Sequence, residues 1–470
     1  MTTGEDPLIE QFVDEALGNS AYLVAAGARK EGVLIDPPRD VDRFLKAAAR
    51  KHVTITHVLD THLHNDFLSG CREVAARTGA EIGASAEAQV EFDHRPLLEG
   101  DRIELDGSVL EVLATPGHTP EHISFVLRDA GRTPEALFSG GALIVGGAAR
   151  TDLLGRESTI PLARRLYRTI HEKLLALPDD VVVYPTHGAG SFCVAPTGSE
   201  RTTTIGAERA RNPLAQATAE EEFVATALSG LPSYPTYFAR LRPINQKGPK
   251  LLEGPSIPKP LSLKAVKAWV DSGGAVLDVR PAAEFVRGHL PHAYGIPLEA
   301  PLVTWVGWLL PYAEPLVLVA PGREGLAEAT RQLLRIGFDN LRGYLKGGLA
   351  AWKAAGFQVE RTKLVSPADL RTRLATKGRP VVLDVRRDDE WEKGHIPGAV
   401  HIENGRIPEI DLEPFRGREV VVHCAGANRS TAGLSVLVRR GLGDVKLLRG
   451  GFGAWEGKGF EVEREASRGA

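Results

Sequence analysis

Histidines cluster at three places in the first half of the chain: Thr-His-Leu-His-Asn-Asp at 61–66, Pro-Gly-His-Thr-Pro-Glu-His at 116–122, and Pro-Thr-His-Gly-Ala-Gly at 185–190. Each follows a short apolar run (HVLD, SVLEVLA, VVVY), so each falls in a loop just past a strand, where a rigid sheet gathers ligands and catalytic groups. Neutral imidazole is the commonest protein metal ligand, and a His-x-His pair at a strand end lets two rings reach one ion. His62, His64, His118 and His187, with Asp66 beside the first pair, form a candidate metal set.

A second chemistry is written further on, in Val-Val-Val-His-Cys424-Ala-Gly-Ala-Asn-Arg429-Ser430, which reads as a strand, a short loop and a helix. A thiol attacks as the thiolate, and its pKa falls at a helix N-terminus beside a cation. Ala425, Gly426 and Ala427 are small enough for their amides, with those of Asn428 and Ser430, to curl toward the sulfur as an anion-binding nest. Arg429 is expected to close that loop with positive charge. The chain has three cysteines, too few and too scattered for a disulfide framework. Cys71 reads as packing. Cys193, six residues past His187, reads either as packing or as a persulfide carrier lining the metal pocket.

The elements that must hold these groups show an internal duplication. Residues 275–297 (AVLDVRPAAEFVRGHLPHAYGIP) and 381–402 (VVLDVRRDDEWEKGHIPGAVHI) share Leu-Asp-Val-Arg and Gly-His-[Leu/Ile]-Pro, and LKGGLAAWKAAGF parallels LRGGFGAWEGKGF. In each copy β-rich runs alternate with helix-period segments, the pattern of a parallel α/β sheet with helices on both faces. The proline-rich stretch before them has linker composition. The expected order is a domain over 1–240, a linker over 241–262, and repeat domains over 263–360 and 364–465. The middle copy has Ala320 where the other has its cysteine, which makes it an inactive spacer or docking surface; Arg323 in that loop reads as solvated.

With 57 basic and 60 acidic side chains the net charge is −3, so no global field exists to hold nucleic acid or an anionic membrane. The N-terminus MTTGEDPLIEQF lacks the basic start and apolar stretch of a signal peptide, and the expectation is a cytoplasmic chain, with a homo-oligomer allowed.

Thr-His-x-His-x-Asp, Pro-Gly-His-Thr and Tyr-Pro-Thr-His-Gly resemble the metallo-β-lactamase fold over roughly residues 10–240, and within it the branch of glyoxalase II hydrolases and persulfide dioxygenases. That resemblance implies two β-sheets sandwiched between helices. In the dioxygenase branch it also implies a mononuclear iron(II) on His62, His118 and an aspartate from an F-[ST]-G-D segment. Here that segment reads Phe-Ser-Gly-Gly, with Gly141 in the aspartate's slot, and Phe67 replaces the last histidine of H-x-H-x-D-H. Both changes remove ligands that a binuclear hydrolase site would use, which argues against such a site. Three options stay open: a three-histidine zinc site, two histidines holding iron with one position open, or weak to absent metal binding. Asp152 matches a structural R-x-D-L stretch.

The cysteine loop, with Asp384, Arg386, His395, Pro397, Gly450, Gly451 and Trp455 around it, resembles rhodanese. The four residues between Cys424 and Arg429 are one fewer than cysteine phosphatases use. The resemblance implies that Cys424 accepts sulfane sulfur from a low-molecular-weight persulfide or thiosulfate and passes it to an acceptor thiol or cyanide. The whole order resembles fusions of a persulfide dioxygenase with rhodaneses in sulfide oxidation. The alternatives are a mononuclear zinc thioester hydrolase and a metal-free N-terminal scaffold.

Overall fold

The structure, a computed structural model, describes residues 7–27, 30–194, 199–252 and 257–464. They fall into two units, 1–253 and 254–470.

The first unit is built on two six-stranded sheets. One orders its strands Leu8–Asp14, Asn19–Ala26, Glu31–Ile35, Thr54–Leu59, Glu81–Ser85 and Arg95–Leu97; the other orders Thr203–Thr204, Val182–Pro185, Pro134–Gly140, Ile123–Arg128, Ser108–Ala114 and Arg102–Leu105. The strand Asn19–Ala26 shows why the sheets stack: all eight of its residues are buried. Side chains alternate between faces with period two. Tyr22, Val24 and Ala26 therefore enter the core between the sheets with Leu110, Phe125 and Phe138, while Ala21, Leu23 and Ala25 meet Phe44 and Val74 from the helices Asp42–Lys51 and Cys71–Thr78. Val126 and Leu137 face the other way, onto Leu166, Ile170 and Phe223. Each of the valines, leucines, isoleucines and phenylalanines among them contributes roughly 1.5–3 kcal/mol on burial. The result is the expected helix–sheet–sheet–helix sandwich.

The stretch expected as a linker differs. Phe238–Lys247 is a helix despite Pro243 in its interior. Its side chains are tied to the first unit: Asn245 Nδ2 donates to the carbonyls of His64 and Phe67, each at 2.8 Å, and its Oδ1 accepts from the Ser69 amide at 2.9 Å. Arg72 donates to the carbonyls of Gly248 and Pro249. Proline composition predicted a spacer because it reports the one helix bond lost at Pro243, not the anchors on either side of it. Of the expected 241–262, residues 253–256 lie outside the described residues.

The second unit holds two five-stranded, all-parallel sheets of identical order: Pro260–Leu261, Leu341–Leu345, Leu316–Val319, Ala275–Asp278, Tyr294–Gly295, and Lys363–Val365, Val445–Leu448, Val420–His423, Val381–Asp384, Val400–His401. The duplicated motifs do the same physical work in both. Asp278 pairs with Arg280, which donates to Gly288 O at 2.9 Å; Asp384 pairs with Arg386, which donates to Gly394 O at 2.7 Å. Each buried ion pair thus pins a strand end to the Gly-His turn. Trp352 and Trp455 each donate at 2.8 Å to the carbonyl six residues on.

The middle copy packs on its neighbour. Arg439 of the helix Asn428–Arg439 donates to the carbonyls of Gly273 and His292 and pairs with Glu314 at 3.2 Å. Trp308 lies so close to Gly405 that a Cβ there would overlap its ring. Gly405→Ala is therefore expected to destabilise the second unit by roughly 1–3 kcal/mol through overpacking, read as a lowered midpoint in thermal unfolding; an unchanged midpoint would show that the contact is slack.

Candidate functional site

In the first unit the strand Glu31–Ile35 ends at Asp36, whose φ of 51° is left-handed and whose carboxylate is fully buried. Asp36 accepts from the Thr61 amide at 2.7 Å, Thr61 Oγ1 at 2.8 Å, His64 Nε2 at 3.2 Å and Thr186 Oγ1. Burial alone would raise its pKa, but the His64 charge and these donors more than offset that and hold it below the usual carboxylate value. One carboxylate thereby joins the loop after Thr54–Leu59 to the loop after Val182–Pro185.

That junction brings the predicted histidines together. His62 lies 4.9 Å from His118 and 5.3 Å from His187 between ring centroids, and all four candidate rings are buried. Burial, then the neighbouring imidazoles, drives His62 far down and His118 and His187 to about 3. These rings are neutral at physiological pH. Burial would lower His64 as well, yet the charge and hydrogen bond of Asp36 leave it raised.

The hydrogen-bond partners fix which nitrogen of each ring carries the proton. Thr61 Oγ1 spends its hydrogen on Asp36, so at 2.9 Å it accepts from His62 Nδ1. Asn19 Nδ2 donates to Asp66 Oδ2 at 2.6 Å, so Asn19 Oδ1 faces His187 Nδ1 at 3.0 Å and accepts from it. His118 Nδ1 donates to Arg150 O at 2.7 Å. Each ring is left with a lone pair on Nε2. The Nε2 atoms of His62 and His187 face each other at 3.3 Å, a repulsive contact that a cation relieves. Orienting the far nitrogen of each ring in this way is how proteins prepare histidine ligands.

His122, in the same loop as His118, is spent differently: Nδ1 meets Thr115 Oγ1 at 2.8 Å and Nε2 accepts from the Gly141 amide at 2.9 Å. Asp66 stands at the edge, 3.7 Å from His187 Nδ1, its carboxylate buried beside the Cys193 thiol. Phe67 stacks on His64 at 4.1 Å.

The two-histidine, one-carboxylate iron set does not fit. Gly141 offers no carboxylate, and a Cβ there would stand 2.7 Å from His118 Cδ2 and 2.9 Å from Ala149 Cβ, so the ring occupies the space an aspartate needs. One ligand atom each from His62, His64 and His187 lies within 4.8 Å of the others; His62 and His187 present lone pairs to a divalent cation, and His64 joins them on giving up its extra proton.

Sequence reasoning missed the groups that position this loop. Glu121, fully buried, accepts from the Leu63 amide at 3.0 Å and receives Arg242 bidentately at 2.9 and 2.7 Å. Asp36 was readable as the carboxylate closing the run VLID; Arg242 and Asn245 had no signal, since their stretch reads as a spacer.

In the second unit Cys424 lies at the end of Val420–His423, before the helix Asn428–Arg439. The sulfur is buried at the floor of the loop and residues 425–427 above it are exposed. Cys424 O accepts from the Phe452 amide at 2.8 Å and Ala425 O from the Gly453 amide at 3.1 Å. A Cβ on Gly451 would meet the carbonyls of Cys424, Ala425 and Gly426. The Thr431 amide bonds Ala427 O, and no hydrogen bond joins the amides of 425–430 to another described residue. Cys424 Sγ lies 3.4 Å from Ser430 Oγ.

Arg429, expected to close the loop with positive charge, has a carboxylate partner as well as the sulfur nearby. Its guanidinium is held bidentately by Glu390 at 2.5 and 2.7 Å, so its charge is paired with that carboxylate and not spent on the sulfur alone. In the middle copy the matching Gly348 has nothing within 4 Å of a Cβ; no loop folds onto it, and Arg323 is exposed.

Residues 14–187 match the metallo-β-lactamase superfamily, and residues 262–355 and 366–458 each match the rhodanese-like domain. The human protein named persulfide dioxygenase ETHE1, mitochondrial, is 32% identical over 211 residues, covering 43% of this chain and 76% of the relative. A hydroxyacylglutathione hydrolase from a Polaromonas species is 39% identical over 179 residues, 37% of this chain and 64% of the relative. A crystal structure of a metallo-β-lactamase from Staphylococcus aureus superposes with a TM-score of 0.64 at 32% identity, covering 73% of this chain and 99% of that one.

The Glu121–Arg242 pair generates a test. Burial would raise Glu121, but Arg242 and the Leu63 amide hold it below its ordinary 4.5. The unfolded chain therefore takes up the proton first as pH falls, and the pair's stabilisation, present above 4.5, is lost below it. Arg242→Met leaves the carboxylate buried and unpaired, an expected loss of about 3–5 kcal/mol at pH 7 that shrinks in acid, measured by denaturant titration at both pH values.

Proposed function

The chain belongs to the metallo-β-lactamase superfamily, with a domain of the persulfide-dioxygenase kind followed by two rhodanese-like domains, and from that premise we propose that it is a sulfurtransferase of sulfane-sulfur metabolism working through Cys424. The observation that carries this reading is the run of unpartnered amides from 425 to 430 above a buried sulfur.

The Cys424 thiolate attacks the sulfane sulfur of thiosulfate or of a low-molecular-weight persulfide. The S–S bond of the donor breaks, and sulfite or the donor thiolate leaves with the electron pair. Cys424 now carries an outer sulfur whose negative charge lies among the amides of 425–430 at the start of a twelve-residue helix, where partial positive charge stabilises it. An acceptor thiolate or cyanide attacks that outer sulfur, and the Cys424 thiolate is regenerated. Glu390 holds Arg429 at the loop rim, and Gly451 lets the loop carbonyls turn away from the anion.

The N-terminal domain departs from its dioxygenase relatives at the carboxylate ligand, so oxidation at iron is impaired in this reading, and the domain serves to bind the persulfide that feeds the transfer. A second reading, thioester hydrolysis on a single zinc, is favoured by the imidazole donor set and the likeness to the hydrolase. Hydrolysis of S-lactoylglutathione separates the two.

Cys424→Ser is expected to abolish thiosulfate:cyanide sulfur transfer and the 32-dalton adduct that mass spectrometry finds after thiosulfate treatment, a sulfur atom's mass; transfer at the wild-type rate would remove Cys424 as the carrier. Oxygen uptake on glutathione persulfide by the wild-type protein is expected to stay at background. Rapid uptake with stoichiometric iron would overturn the reading of Gly141.

A further inference from the structure

Cys193 has no part in the reading above, yet it is one of the most deliberately placed groups in the first unit. It is fully buried, and its sulfur, one nitrogen of His118 and one of His187 lie within 4.8 Å of one another. The same residue orients two of the three donors. Arg150 donates its amide hydrogen to Cys193 O at 2.8 Å, accepts from His118 Nδ1 on its own carbonyl at 2.7 Å, and reaches with its guanidinium to the carbonyls of Phe192 and Pro232. Asp152 holds that guanidinium at 2.6 and 2.7 Å. The third donor, His187, is fixed by Asn19.

A carboxylate at 141 would have given a cation both a ligand and a negative charge. A thiolate at 193 supplies both, from a different loop. The change of donor has a consequence for the ion: carboxylate with imidazole suits iron(II), whereas thiolate with imidazole selects zinc and its class. Burial pushes the Cys193 thiol well up and the neighbouring Asp66 adds to that, a cost that a bound cation offsets.

We propose that the first unit binds a thiophilic divalent ion of zinc's class on His118, His187 and Cys193, the thiolate standing in for the carboxylate that Gly141 lacks. This rests on the reading that the iron set is broken at Gly141, and it goes beyond that reading by naming the ligand that replaces it and the metal class that follows. Binding exchanges the thiol proton for the ion, with the proton released to solvent.

The full-length protein, stripped with chelator, is titrated with cobalt(II) as the probe. One equivalent is expected to bind with thiolate-to-cobalt charge-transfer absorption in the near ultraviolet, and added zinc(II) should erase it. Cys193→Ser and Cys193→Ala should lose the absorption and weaken cobalt binding roughly tenfold or more, since even outer partners of metal ligands are worth about 10–100-fold. A chain carrying Cys71→Ala and Cys424→Ser keeps Cys193 as its sole thiol and should retain the absorption, which decides the matter even if the Cys193 variants fail to fold. Cobalt bound without the absorption, absorption unchanged in a folded Cys193 variant or lost from the single-thiol chain, or no cobalt uptake would each overturn the proposal. Sulfur transfer is assayed on the same wild-type preparation, so failure of the metal arm with transfer intact removes this inference and leaves the Cys424 reading in place.

Discussion

The first unit depends on one buried carboxylate. Asp36 gathers four donors from two loops that leave different sheets, and it sits in a left-handed conformation that costs of order 1–3 kcal/mol and persists where surroundings over-determine it. Without Asp36, Thr61, His64 and Thr186 would each lose a buried partner at once. Its influence extends past its own contacts: because Thr61 gives its hydrogen to Asp36, His62 must donate to Thr61, and so the nitrogen of His62 that faces His187 carries a lone pair. The direction of one hydroxyl hydrogen, on the residue before His62, thus sets which face of that ring can receive a cation.

Much of this was legible in the residues. The His-x-His pair, the Pro-Gly-His and Pro-Thr-His loops and the cysteine loop are local strings whose positions after apolar strands report the sheet edges, and the duplicated Leu-Asp-Val-Arg and Gly-His-Pro strings report an ion pair that recurs in space. Three things were not legible. Arg242 and Asn245 act through partners more than a hundred residues away, and nothing in a proline-rich stretch announces such a partner. The carboxylate that holds Arg429 was not legible, because Glu390 lies on another element. That both nitrogens of His122 are taken up is shown only by its two hydrogen bonds.

The two rhodanese-like domains share strand order, ion pairs and tryptophan anchors, and yet they differ at one backbone contact. In the third domain a glycine without a side chain lets three consecutive carbonyls close onto it. In the middle domain the glycine is kept, but the loop that would close on it is gone along with the cysteine. The scaffold is kept there without the cysteine; Arg439 of the third domain bonds to its surface, and its own Trp308 packs on Gly405.

The helix Phe238–Lys247 also has a practical meaning for anyone dividing this protein. A fragment cut where the sequence composition suggests, at residue 240, would strip the carbonyls of His64 and Phe67 and the amide of Ser69 of the side chain that satisfies them, and would open the histidine loop to water. The catalytic-type loop of the first unit is completed by residues that arrive after its sandwich has closed, so the end of the folded body lies beyond the end of its recognisable sequence.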